Sequence, residues 1–512
     1  MAEAGPAHSG WSGRGWAPVG LALLAGGAQA WAMGPLALGW LQVLSVAVLA
    51  WLIAGSARPR AGWIGLAFSV AWLSGTFWWL FISMHRYGHL PAWLAALAVG
   101  LLAVALSAYL VLAMVLFARW RCGRLGPDLL LWSGLWLLAE LGRGVVFTGF
   151  PWGAAGYAHV EGPLAALAPW AGVYGIGAVA AALGWLVQHG LASAGWRGRV
   201  AAVLAVAALA GLPGGRGGEF TQARGELSVT LLQGNVPQDE KFDFSRLPET
   251  LDWHLKALLA SKADLVIAPE TAIPLLPSQL PEGLWRALTD HFGERDTRAL
   301  IGVPLGDAQQ GYTNSVAGLG AGVDAPFYRY DKHHLVPFGE FIPLGFRWFV
   351  DMMQMPLGDF ARGPLVSASF PVRGERVGPN ICYEDLFGEE LAARFVDEAT
   401  APTVLANVSN IGWFGESVAV DQHLRISRMR ALELQRPMVR ATNTGATVAI
   451  DHRGVVTHRL VPHVRGVLEA RVQGREGTTP FAWWAGRFGL WPLWALGSLG
   501  LLAAGWGARR RG

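Results

Sequence analysis

Charge is what this sequence has least of. Only 15% of its 512 residues are Asp, Glu, Lys or Arg, while 53% are hydrophobic; an ordinary soluble domain carries roughly 25% charged residues. That deficit argues against a simple soluble enzyme. Cysteine is scarce as well, and two in the whole chain exclude a disulfide scaffold and any CxxC-type zinc site. Internal repeats, low-complexity tracts and a Gly-rich phosphate loop of the Walker kind are absent. The net charge of +4 and pI near 9.2 do not point to nucleic acid. Much of the basic excess is Arg in short loops beside apolar runs, a pattern that orients a membrane protein.

The few charges are unevenly spread. Residues 1–216 hold 15 of them, 217–487 hold 58 and 488–512 hold 3. The chain therefore reads as a membrane part (1–216), a domain of normal charge density long enough for a real core (217–487), and a C-terminal apolar helix with a basic tail (488–512). A bilayer core of about 30 Å needs roughly 20 apolar residues in a helix. Runs of that kind are predicted at 16–33, 35–54, 62–84, 91–118, 129–147, 163–187, 200–212 and 490–506, eight spans in a seven-plus-one arrangement. Arg58 and Arg60, then Arg119, Arg121 and Arg124, then Arg197 and Arg199, and finally Arg509, Arg510 and Arg511 fall in alternate loops. Basic loops stay in the cytoplasm, so both termini are expected there and the 217–487 domain outside, in a bacterium the periplasm. Ala28-Gln29-Ala30 could also be a cleavage site that removes the first span. Glu140 and Arg143 share a helix face and read as an anchoring ion pair.

From Glu226 the pattern changes to short apolar runs closed by polar turns. Strands are predicted at 227–233, 265–268, 299–303, 314–319, 378–382, 403–407 and 447–451, with helices at 248–261, 282–292, 389–398 and 420–435. Such alternation suggests a layered α/β domain with its ligands at strand ends. Three residues stand at or near such ends. Glu270 closes Leu-Val-Ile-Ala-Pro-Glu, Cys382 closes Val-Gly-Pro-Asn-Ile-Cys, and Lys332 lies in an aromatic, Pro/Gly-rich segment that is a poor place for a merely solubilising lysine. Cysteine chemistry needs a thiolate, which a base creates and a cation stabilises. Any one of the three alone is more simply a core or surface residue; their order and context carry the reading.

The Pro-Glu-Thr-Ala around Glu270, the Lys-x-His-Leu-Val-Pro-Phe-Gly-Glu from Lys332 to Glu340 and the Ile-Cys-Tyr-Glu around Cys382 resemble the Glu-Lys-Cys signature of the carbon-nitrogen hydrolase (nitrilase-like) superfamily. With eight predicted spans, nearly the whole chain resembles its membrane members, the apolipoprotein N-acyltransferase family. The segments 233–238, 409–415 and 428–433 share in the likeness. The resemblance implies an α-β-β-α sandwich joined to a helical membrane bundle in the bacterial inner membrane. It implies transfer of an acyl chain from a phospholipid, typically phosphatidylethanolamine, through a cysteine thioester to the N-terminal amine of a diacylglyceryl-cysteine apolipoprotein, with no cofactor. Cys382 would be the nucleophile, Glu270 the base, and Lys332 with the Tyr383 N–H the oxyanion donors. Glu340, Tyr383 and Glu384 match supporting positions, and Phe242 and Trp413 are expected to contact substrate. The chain departs from the family pattern at Ile411, where Asp is common, and at Phe242, where some members carry Trp.

Three further expectations follow. Cys122 is placed in the cytoplasm and Cys382 outside, so they cannot pair. The apolar, Met-rich stretch 345–356, with Trp348, Phe349 and Met353, reads either as a mobile arm that gates lipid access or as a packed helix. His333, His334 and His423 lack the spacing of metal ligands. Two other functions compete: a membrane-tethered amidase or nitrile hydrolase that uses water as acceptor, and a transporter whose outer domain only binds ligand. Against the latter, the spans hold few ionisable residues beyond Glu140 and Arg143.

Overall fold

The computed structural model describes residues 16–509 except 35, 37, 193–194, 197–198, 201, 204–217, 242–244, 310, 324–326 and 353–358, with side chains to residue 502. The chain divides into two compact units, Met1–Trp78 with Ala96–Arg216 and Leu490–Gly512, and Trp79–Ala95 with Gly217–Gly489. The segment Trp79–Ala95, which low charge assigns to the membrane part, thus groups with the charged domain.

The first unit is helical. Among the described residues, Ala92–Trp120, Leu125–Thr148 and Pro163–Ala192 are long and apolar enough to cross a membrane, and Arg58–Phe77 is a fourth candidate only if counted together with Leu80–Tyr87, which groups with the second unit. Ala17–Ala32, Gly39–Ala54 and Trp491–Leu502 are apolar but shorter. The structure corrects the expected straight span at 62–84, which breaks at Trp78 and Trp79. The expected span at 200–212 lies largely outside the described residues, as do Arg197, Arg510 and Arg511. Small residues let two of these helices approach closely: a Cβ on Gly134 would meet the main-chain oxygen of Gly497 at 2.8 Å, the kind of contact that apolar helices use in place of a hydrophobic driving force. Glu140 and Arg143 do pair, at 3.7 Å, and both are buried. Arg143 Nη1 also donates to the main-chain oxygens of Phe150 (3.0 Å) and Trp152 (2.6 Å), and Glu140 Oε1 accepts from the Ala155 N–H at 2.7 Å. The pair therefore folds the Gly/Pro/aromatic turn after its helix back onto the bundle.

The second unit holds two six-stranded sheets. In chain order the strands are β1 (Gln222–Gln233), β2 (Leu265–Ala268), β3 (Arg298–Asp307), β4 (Gly311–Leu319), β5 (Tyr328–Asp331), β6 (Phe370–Val372), β7 (Glu375–Ile381), β8 (Val404–Ser409), β9 (Met438–Thr442), β10 (Val448–Ile450), β11 (Val456–Arg459) and β12 (Gly466–Glu476). One sheet runs β12-β1-β2-β3-β4-β5 and the other β11-β10-β9-β8-β7-β6. The period-2 alternation of a strand sorts its side chains between two faces. Leu227, Val229 and Leu231 of β1 and Ile267 of β2 meet Val377, Val404 and Val439 of the other sheet in one buried core. The opposite faces, including Val266 and Ala268, pack on the helices Leu247–Ala260 and Leu284–Gly293. The second sheet's outer face packs on Ala419–Leu434 and Pro480–Phe488. Helix, sheet, sheet and helix follow in four layers.

Candidate active site

The central strands of each sheet run parallel, β1 with β2 and β3 in one, β7 with β8 and β9 in the other. Their C-terminal ends release short loops whose side chains converge. Pro269 follows β2, and Glu270 comes next in a turn in which Thr271 takes φ 51°. That turn passes so close to β3 that a Cβ on Gly302 would lie 2.2 Å from the Pro269 oxygen; only glycine fits there. Lys332 follows β5, its own N–H still donating to Asn314 of β4 at 2.9 Å. Cys382 follows β7 with φ 51°, a left-handed conformation that costs a non-glycine residue about 1–3 kcal/mol and must be held by its surroundings.

What holds it is visible in the hydrogen bonds. Glu384 Oε2 accepts from the Ile381 N–H and the Tyr330 hydroxyl, both at 2.7 Å, and its Oε1 accepts from the His333 N–H at 2.7 Å. This one buried carboxylate fastens the cysteine turn to the loop that carries Lys332. From behind, His423 Nε2 lies 3.1 Å from the Cys382 main-chain oxygen while Arg440 donates to its Nδ1 at 3.1 Å. With Nδ1 accepting, Nε2 must bear the proton and donate to Cys382. Burial, reinforced by the neighbouring Arg440 charge, holds the His423 pKa well below 6.5, so that tautomer is neutral.

Around the thiol stand two carboxylates and an ammonium. Lys332, 1% exposed, donates to Glu340 Oε1 at 2.9 Å and lies 3.6 Å from Glu270 Oε1. The Asn314 amide donates to both carboxylates, at 2.7 Å to Glu270 and 2.6 Å to Glu340. Glu270 Oε2 accepts from the Asn410 N–H at 2.7 Å, and Glu340 Oε2 from the Val336 N–H at 2.8 Å. Burial works against the Lys332 ammonium, but Glu340 and Glu270 outweigh it and its pKa is raised. The half-buried Cys382 behaves oppositely. Burial and the Glu270 charge push its thiol up to about 12, with Lys332 and the Asn410 N–H working the other way. At neutral pH the arrangement holds a protonated thiol beside a fixed ammonium, and a proton acceptor is needed before sulfur can attack.

The remaining expected residues fall as follows. Tyr383 is buried, its ring against Phe387 and His334. Trp413, in the turn after β8, sets its ring edge-on to Tyr87 at 5.6 Å. Phe242 and Met353 lie outside the described residues. Trp348 and Phe349 sit in a short helix, Arg347–Met352, but differ: Trp348 is 65% exposed, whereas Phe349 packs beside Leu90, Ala95 and Val350. Ile411 is buried among apolar residues of the outer core. Neither Cys122 nor Cys382 is in a disulfide. The Gln233–Gln238 segment is stitched to the second sheet, because Asn410 Nδ2 donates to Gln238 at 2.8 Å and Asn443 Nδ2 to the Val236 oxygen at 2.8 Å.

Sequence reasoning missed four residues of this site. Asn314, Asn410 and Asn443 are amides placed in or just after buried strands, and that placement is a usable signal. Lys241, whose Nζ donates to the Glu270 main-chain oxygen at 3.0 Å, comes from a polar turn that looks like any other.

Two family models match the chain: apolipoprotein N-acyltransferase N-terminal domain over residues 25–186 and carbon-nitrogen hydrolase over residues 228–480. An apolipoprotein N-acyltransferase of Verminephrobacter eiseniae is 53% identical over 502 residues, covering 92% of each chain. One of Ralstonia nicotianae is 46% identical over 499 residues, covering 96% of this chain and 93% of that one. Among solved structures, a carbon-nitrogen hydrolase from Helicobacter pylori is similar with a TM-score of 0.36 and 15% identity, over 52% of this chain and 94% of that one.

Proposed function

The chain belongs to the apolipoprotein N-acyltransferase family, and on that premise we propose that it moves an acyl chain from a membrane phospholipid, phosphatidylethanolamine first among donors, through a Cys382 thioester to the N-terminal amine of diacylglyceryl-cysteine apolipoproteins. The observation that carries this reading is the convergence of Glu270 and Lys332, 3.6 Å apart, on a thiol whose charge state both influence.

In the first half-reaction Glu270 takes the thiol proton as sulfur attacks the donor's ester carbonyl. With a thiol pKa of about 12, thiolate is not stored beforehand, so proton removal accompanies attack. The oxyanion is met by Lys332 and the Tyr383 N–H, a kind of preorganised donation worth about 2.7–4 kcal/mol per donor. Collapse breaks the ester C–O bond, Glu270 protonates the departing alcohol, and a thioester and a lysophospholipid result. In the second half-reaction the neutral amine attacks, Glu270 accepts its proton, and the thiolate leaves and is reprotonated. A thioester suits this sequence because it splits one difficult transfer into two easier ones and stays reactive toward an amine. Every proton is carried by the chain's own groups.

A bilayer is the donor's home, and the fold offers a matching first unit. Among the described residues three helices, or four with the bent pair, are long and apolar enough to cross a membrane, and three more are apolar but shorter. With Arg gathered in alternate loops, we read the chain as a multi-pass protein of the bacterial inner membrane, both termini cytoplasmic and the catalytic domain periplasmic. The stretch around Trp348 is then an arm toward lipid.

The test uses full-length protein in nanodiscs with phosphatidylethanolamine and a diacylglyceryl-cysteinyl peptide. The peptide should gain the mass of one acyl chain when its amine is free and none when it is acetylated. Release of free fatty acid with no gain on the peptide would favour the water-accepting hydrolase.

A further inference from the structure

Lys241 is 5% exposed, and among the described residues its Nζ donates to the Glu270 main-chain oxygen at 3.0 Å. It borders a cavity lined also by His254, Glu270, Thr271 and Asn443, large enough for about one water. His254 in that wall is buried and donates through Nδ1 to the Thr250 oxygen at 2.8 Å. Its Nε2 is an acceptor with no hydrogen-bond partner among the described residues. The ammonium and the imidazole thus line one small space beside Glu270.

The charges give this placement its meaning. Whichever of Glu270 and Cys382 holds the shared proton, the pair keeps one negative charge, and Glu340 adds a second. Lys332 supplies one positive charge. The charged and titratable groups acting on Lys241 are Glu270 and Cys382, which favour its ammonium, with His254 neutral beside it, its own pKa lowered to about 4 chiefly by burial.

We infer that Lys241 is a second ammonium of the active site, an electrostatic positioning residue that lets the buried Glu270 and Cys382 pair keep its negative charge, with a water held between it and His254. This rests on the reading of Cys382 as nucleophile and Glu270 as base. Lys241 acts through Glu270 and does not touch the acyl group. Burial lowers its pKa to about 8 against the pull of Glu270 and Cys382, so the support it gives is present at neutral pH and fades above pH 8.

Alkylation of Cys382 by iodoacetamide reads the pair without any acyl donor. Rates are measured from pH 6 to pH 10 on full-length wild type, Lys241→Met and Lys241→Arg. The Met variant should react about tenfold more slowly near pH 7, the equivalent of about one pH unit, with the displacement closing above pH 8. The Arg variant should match wild type near pH 7 and exceed it above pH 8, where the wild-type ammonium is lost and the guanidinium is not. An unchanged profile in Lys241→Met overturns the inference, as do equal displacement in both variants and faster alkylation with an ordinary thiol profile, each of which marks a packing role alone. A wild-type profile unaltered by Glu270→Gln would instead remove the reading on which the inference rests.

Discussion

The Asn410 N–H donates to Glu270 Oε2 at 2.7 Å, so a carboxylate delivered by β2 of one sheet is aimed by the loop after β8 of the other. The site is therefore a property of the sandwich, and neither sheet alone would orient this carboxylate. Replacing Glu270 with Gln removes the proposed proton acceptor and turns an NH2 group toward either the Asn410 N–H or the Asn314 amide. Acyl transfer should fall by about 10²–10⁴-fold, the usual contribution of a positioned base, while the protein remains inserted and folded. Single-turnover acylation of the variant, compared with its thermal unfolding, separates the two effects.

Glu340 is the closest charge to the buried Lys332 ammonium, at 2.9 Å. Glu340→Gln leaves that ammonium against a neutral amide, and removing one member of a buried pair costs about 3–5 kcal/mol. Chemical denaturation should show a loss of that order, with acyl transfer lowered as well. A variant as stable as wild type would mean that Lys332 finds another partner.

Two buried histidines set a pH dependence of stability. Burial lowers His254 to about 4 and, with Arg440, holds His423 well below 6.5. Because the folded values lie below the unfolded one, the unfolded chain binds protons first as pH falls. The stability they contribute is present above about pH 6.5 and is lost toward pH 4, for His254 by about 3 kcal/mol when fully expressed. The gap in unfolding free energy between wild type and His254→Met should narrow from pH 7.5 to pH 5. A constant gap would show that His254 does not titrate differently in the two states.

Trp348 and Phe349 should separate cleanly. Trp348, 65% exposed, can become Ser with a stability change within about 0.5 kcal/mol. Phe349, packed beside Leu90 and Val350, should lose about 1–2 kcal/mol as Ser. If the arm reaches lipid, Trp348→Ser slows acyl transfer from vesicles at unchanged unfolding temperature. Wild-type rates in that variant would remove the arm from the account.

Much of this was legible in the sequence for a physical reason: Glu270 and Cys382 each close a run of residues that only a buried strand explains, and β2 falls at 265–268 as its pattern predicts. Other elements were hidden by charge. Strand β9 contains the fully buried Arg440, whose Nη1 donates to the His423 main-chain oxygen and to the Ser427 hydroxyl, and a central Arg breaks the apolar signature. Strand β12 alternates apolar with charged side chains and reads as a polar segment until β1 is beside it. The break at Trp78 and Trp79 was equally opaque. Trp79 is apolar enough for a span, but its Nε1 donates to Gln422 at 3.0 Å and its ring lies 4.3 Å from that of Phe414. Tertiary partners, not hydropathy, decide to which unit it belongs.

The central claim is that Cys382 carries the acyl chain. Purified wild type and Cys382→Ser, incubated with phosphatidylethanolamine and no acceptor, are weighed intact by mass spectrometry. The account predicts a gain of one acyl chain in wild type only, removed by hydroxylamine as a thioester is. No gain in wild type, or an equal gain in Cys382→Ser, would contradict it.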